Sequence, residues 1–144
     1  MARMIVKKST SRVNRPAPAA PAADTGAYGD LDNWPRSWMG FEKDLPLGEA
    51  LLACFRPFIA HLASSSLSRK TIQKHVDNLW ILGGEIIRDV NDDPRLRKVA
   101  ADCLLKNVIH LDGGPLMYHG SEEEQQSFDS TCRKLHRFLH QPQG

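Results

Sequence analysis

The stretch LSRKTIQKHVDNLWILGGEIIRDV, from Leu67 to Val90, decides the fold. Its apolar positions Ile72, Val76, Leu79, Gly83, Ile86, Ile87 and Val90 recur at intervals of three and four, which predicts one face of a single helix. At about 100° per residue, Arg69, Lys70, Gln73, Lys74, Asp77 and Arg88 fall on the opposite side. Ser68 stands where an N-cap belongs, with a hydroxyl free to accept from the first-turn amides. Gly83-Gly84 breaks the pattern, because a mid-helix glycine costs on the order of 1 kcal/mol relative to alanine. Gly83 is on the buried face, where it admits another helix at close range; a kink that splits the stretch is the other reading.

Working outward, residues 47–63 form a second helical pattern, with Leu47, Leu51, Cys54, Phe55, Phe58 and Leu62 as its buried stripe and Pro57 expected to bend it. Ser64-Ser65-Ser66 is a short polar turn between the two. After the central stretch, Asp93 and Pro94 give a cap and a first helical position. A third helix follows to about Ile109, burying Leu96, Val99, Ala100, Cys103, Leu104 and Val108 and turning Arg95, Arg97, Lys98 and Lys106 outward. Gly113-Gly114-Pro115 requires a loop. Ser121 with Glu124 makes a capping box for the last helix, whose apolar face is Phe128, Thr131, Cys132, Leu135, Phe138 and Leu139. No alternating strand pattern and no internal repeat is present. The expected architecture is therefore all-α: a compact four-helix bundle over residues 47–140. Residues 31–46 form an irregular Trp-rich strap, and residues 1–30 a disordered, basic, Pro/Ala-rich tail.

A chain of 144 residues suffices for one independent core. No apolar run approaches the ~20 residues of a membrane span, and the apolar stretch of a secretory signal is missing. Cys54, Cys103 and Cys132 are far apart on apolar helical faces, which predicts reduced core thiols in a cytoplasmic protein. The net charge is only +2, but its distribution is uneven. Arg3, Lys7, Lys8, Arg12 and Arg15 precede Asp24 with no acid among them, so the tail can follow a phosphate backbone or remain a solvated terminus.

Catalytic and metal chemistry find little support. His136 and His140 are spaced i, i+4 but lack a matching second pair of ligands; His110, Asp112 and His119 share a loop that gathers such residues by chance. His75, at the edge of the apolar stripe, reads as a half-buried core histidine. No nucleophile elbow, P-loop, dinucleotide fingerprint or HExxH occurs. Glu122, Glu123 and Glu124 suit the positive end of a helix dipole. The expectation is a non-catalytic protein with no metal and no cofactor.

Cation placement carries the remaining signal. Ser68, Arg69, Lys70, Thr71 and Lys74 cluster at a helix start, a setting that suits phosphate. Arg133, Lys134 and Arg137 supply a second basic face.

Two segments add to this. Phe58-Ile59-Ala60-His61-Leu62 and Leu67-Ser68-Arg69-Lys70-Thr71-Ile72, continued to Leu79, resemble the N-terminal core-binding (SAM-like) domain of tyrosine recombinases and phage integrases. The last helix, with Thr131 to Arg133, Leu135, Phe138 and Leu139, is similar to that module's closing helix. The resemblance spans roughly residues 47–140 and implies a four-helix module that clamps double-stranded DNA. The integrase-like catalytic domain does not fit in this chain, and the tryptophan strip and Gly113-Gly114-Pro115 are foreign to the pattern. The resemblance thus implies a stand-alone DNA-binding protein, an accessory factor of a mobile element. The alternative is a protein–protein interaction module or homo-oligomer that docks through the strip Trp34, Trp38 and Phe41.

Overall fold

The computed structural model describes residues 25–117 and 119–141. The basic positions Arg3, Lys7, Lys8, Arg12 and Arg15 lie outside the described residues. The fold is all-α: α1 (Trp34–Trp38), α2 (Leu45–Ala63), α3 (Arg69–Asp92), α4 (Ala101–Val108) and α5 (Glu122–Leu139). No β-strand occurs among the described residues, only an isolated bridge between His110 and Gly113.

The central stretch is one uninterrupted helix of 24 residues, and every position of its expected apolar face is buried. Ser68 caps it, its hydroxyl accepting the Thr71 amide at 3.1 Å. α3 packs on α1, α2 and α5, while α2 packs on α1, α3 and α4. Between them, Leu51, Phe55, Phe58, Ile59, Val76, Leu79, Leu82, Ile86, Phe128 and Leu135 fill the core. Such closely packed apolar burial, at about 25 cal/mol per Å², is the main term opposing chain entropy.

α2 begins two residues earlier than the pattern suggests and runs through Pro57, which stays on its exposed side. Contrary to expectation, Glu42–Ala63 is long and apolar enough by composition to cross a membrane, with mean hydropathy 1.2. Here Leu51, Leu52, Phe55, Phe58, Ile59 and Leu62 of this segment are buried in the core.

The strap differs most from expectation. Thr25–Tyr28, Leu31–Asn33 and Glu42–Asp44 are 3-10 turns around α1, so the segment is ordered throughout, and Tyr28, expected in the disordered tail, packs on the core. Trp34 and Trp38 are each only 8% exposed. Two glycines seat α1. A Cβ on Gly48 would be 3.1 Å from Pro35 Cα, and one on Gly83 would be at or within 2.6 Å of three indole atoms of Trp38. Close packing is therefore the reason for Gly83, and what it admits is a tryptophan ring. The Trp38 Nε1 donates to Trp80 O at 2.8 Å, and its ring meets Phe55 edge-on at 6.3 Å.

The strap is locked by a buried carboxylate. Asp44, fully buried, accepts from Gly40 N, Phe41 N, Asn91 Nδ2 and Arg97 Nη2, the last at 2.8 Å. Arg97 also donates to Asn91 Oδ1. Burial alone would raise the Asp44 pKa, but Arg97, Asn91 and the two amides outweigh it and hold the group at about 2. Arg97 thus turns inward and not outward as the helical pattern implied. The reason is that Pro94–Lys98 is a 3-10 turn, which shifts the helical phase of the residues after it. α4 therefore buries Leu104 and Leu105 and leaves Cys103 exposed, which corrects its placement as a core thiol. Cys54 is half-buried; Cys132 is buried, and desolvation with nearby Asp129 pushes its thiol up to about 12.

Candidate nucleic-acid interface

α3 and α5 carry the two basic clusters, and a buried polar layer sets how they meet. His75, 1% exposed, shares a 2.7 Å hydrogen bond between its Nδ1 and Thr131 Oγ1. Asn78 Nδ2 donates to the same Thr131 hydroxyl at 2.9 Å and to Ser127 O and Oγ at 3.1 Å. Helical spacing explains the placement: His75 and Asn78 on α3, and Ser127 and Thr131 on α5, each lie one turn apart on facing sides. Buried polar groups need such partners, and the pairing fixes the register between the helices.

Burial, helped by the charges of Lys74 and Lys134, lowers the His75 pKa to about 4. The imidazole is therefore neutral near pH 7, and the half-buried core histidine expected from the sequence is in fact wholly buried. Lys74 from α3 and Lys134 from α5 are thus the two cations whose charge reaches this ring. Among the described residues, neither enters an ion pair, and nor does Lys70, one turn before Lys74. The Asp77 carboxylate nearby accepts from Gln73 Nε2 at 2.8 Å.

The other sequence-predicted residues fall elsewhere. Arg69 turns to the opposite flank of α3, where its guanidinium lies 5.9 Å from the Tyr28 ring and donates to Ala27 O at 3.3 Å. Ser68 Oγ, besides accepting the Thr71 amide as expected of the cap, donates to Thr71 Oγ1 at 2.9 Å, so both hydroxyls are engaged locally. Arg133 donates to Asp112 O at 3.1 Å and ties down the glycine loop. That loop is further laced to α5 by Gly114 N on Asp129 Oδ1 and Met117 N on Gln125 Oε1. Arg137 is exposed on the outer side of α5. Of the predicted cations, Lys74 and Lys134 thus act on the same ring, Lys70 stands one turn before Lys74, and Arg69 and Arg133 are engaged elsewhere.

The chain matches no family model, no curated protein and no solved structure.

His136 and His140 stack at 4.2 Å, with His140 Nδ1 on His136 O at 2.8 Å. Among the described residues, no group of three or more His, Cys, Asp or Glu is gathered for a metal. In the strap, Trp34 and Trp38 face the core, whereas Phe41 is 57% exposed and Lys43 Nζ lies 5.3 Å from its ring. Sequence reasoning missed Trp80, which is 43% exposed beside Tyr28 and Trp34. It also missed the Asn78–Thr131 pairing, although a buried-side asparagine one turn from His75 was a legible signal of it.

Proposed function

We propose that the protein is a non-catalytic, double-stranded DNA-binding module that meets the phosphate backbone with Lys70, Lys74 and Lys134. Arg137 extends the contact along α5. One observation carries this reading: the charges of Lys74 on α3 and Lys134 on α5 both act on the neutral His75 imidazole, and neither lysine enters an ion pair among the described residues. Lysines without an acidic partner favour an anionic ligand that supplies the countercharge. The four longer helices, α2 to α5, support the finer reading as a SAM-like, four-helix core-binding module. Arg69 and the Ser68 and Thr71 hydroxyls contribute less than their sequence positions suggest, since each is already engaged.

A mobility-shift titration of duplex DNA at ~50 and ~200 mM salt tests the proposal. With three to five phosphates contacted, affinity falls by roughly forty- to five-hundred-fold over that range. The triple variant Lys70→Glu/Lys74→Glu/Lys134→Glu abolishes the shift. No binding by the parent at low salt, or unchanged binding by the variant, overturns the reading.

The alternative of docking through Trp34, Trp38 and Phe41 keeps only its outer end. Phe41 and Met39 are exposed, whereas the indoles are committed to α2 and α3. Light scattering of Phe41→Ser separates a partner-binding strip from a monomer's surface.

A further inference from the structure

An apolar groove of about 540 Å³ runs beside α3, walled by Tyr28, Trp34, Trp80 and Ile81, with Gln73 and Asp77 at its rim. The Trp80 indole is pinned by its Nε1, which donates to Ser37 Oγ at 2.8 Å, while Ser37 in turn donates to Trp34 O at 2.7 Å. A rigid, half-exposed indole between two further aromatic rings is a setting in which extended proline segments dock. Prolines present a preformed apolar surface with little entropy to lose, and a carboxylate at the rim orients a flanking cation.

We propose that this groove is occupied in cis by the chain's own Arg15-Pro16-Ala17-Pro18-Ala19-Ala20-Pro21. Chain length, charge and tethering single out this occupant. The chain enters the described part at Thr25 and reaches a wall of the groove at Tyr28, seven residues after Pro21. Seven residues span at most about 25 Å, enough to fold back across a groove of this size. The segment brings Arg15, with Arg12 just before it and no acid until Asp24, towards the Asp77 carboxylate. The short tether also supplies an effective concentration in the mM range, so a contact of mM strength keeps about half of the molecules closed. Docking there holds the basic residues upstream of Arg15 on the flank of α3 where Arg69 already stands.

Tryptophan quenching in the full chain tests this. Trp34 and Trp38 are buried, so acrylamide reports mainly on Trp80. Replacing Pro16, Pro18 and Pro21 with serine raises the quenching constant about two-fold, because the closed half of the population is lost. An unchanged constant overturns the proposal. Trypsin cleavage between Arg12 and Val13 provides a second readout. Asp77→Asn and Trp80→Ala each speed it in the full chain, and equal rates in Asp77→Asn, which leaves the core untouched, overturn the proposal. Protection that grows with protein concentration assigns the groove to a second copy instead and overturns docking in cis. So does saturable quenching by a single-stranded oligonucleotide that leaves the Arg12–Val13 cleavage rate unchanged, since a base then occupies the groove.

Discussion

Neighbouring glycines on α3 should respond to alanine with opposite signs. In a helix interior, Gly→Ala stabilises by about 0.5–1 kcal/mol through backbone entropy alone. At Gly84 nothing opposes this, because an added Cβ comes no nearer than 3.6 Å to Trp38 Cδ1, an ordinary contact. At Gly83 the same methyl meets Cε2 at 2.5 Å and Cη2 at 2.6 Å, so the indole must move by about an ångström or more to restore ordinary contact. Trp38 has little room to do so, held by the Trp80 carbonyl on one side and by Phe55 and Trp34 on others. Overpacking costs about 1–3 kcal/mol, and loss of the indole hydrogen bond about 1 kcal/mol more. After subtracting the propensity gain, Gly83→Ala is destabilised by about 1–3 kcal/mol and Gly84→Ala is stabilised by up to about 1 kcal/mol. Urea unfolding followed by circular dichroism in the far ultraviolet measures both, with the difference appearing in the midpoint and not in the slope. If Gly83→Ala is as stable as Gly84→Ala, Trp38 is not seated on α3 and the strap packs in some other way.

Acid should unfold the protein in two stages. The folded His75 pKa is depressed from 6.5 to about 4, so its titration leaves stability unchanged above pH 6.5 and lowers it by up to about 3 kcal/mol as pH falls towards 4, where the unfolded imidazole takes a proton that the folded one does not. Asp44 is depressed from 3.8 to about 2, so its contribution of about 2 kcal/mol persists above pH 3.8 and disappears below, towards 2. Stability measured by urea between about pH 7 and 3 resolves the first stage, and His75→Gln flattens it. Asp44→Ala strands Arg97 and two amides, at a cost near the lower end of the ~3–5 kcal/mol typical of a broken buried pair, because the Arg97 side chain remains 22% exposed; thermal melts read this directly. In salt titrations of DNA affinity, Lys134→Gln lowers the log–log slope by about 1, whereas Arg133→Gln leaves it nearly unchanged.

Legibility in the sequence tracked helical periodicity. α3 and α5 could be read nearly whole, because their caps at Ser68 and Ser121 and their three-four spacing come from the same few residues. Residues 94–109 could not, since a 3-10 turn advances faster than about 100° per residue, and five residues of it rotated Arg97 inward and Cys103 outward. The strap was opaque for another reason. Its order derives from tertiary partners, namely Gly48 and Gly83 for α1 and Arg97 and Asn91 for Asp44, which lie far along the chain and carry no local signal.

The basic surface depends on a similar long-range fact. Periodicity placed Lys74 on the outer face of α3 and Lys134 on the basic face of α5, but nothing in either helix sets their separation. The layer of His75, Asn78, Ser127 and Thr131 does, by fixing one register for two otherwise smooth apolar faces. An apolar replacement of similar volume on both sides, such as His75→Leu with Thr131→Val, removes a buried polar pair whose net contribution to stability is small. The bundle should therefore survive it with its thermal midpoint little changed. What the register supplies is the relative placement of the two lysines, so DNA affinity in this double variant should fall although neither lysine is altered. Unchanged affinity together with an unchanged midpoint would show that Lys74 and Lys134 act as independent surface charges, not as one phosphate-binding surface.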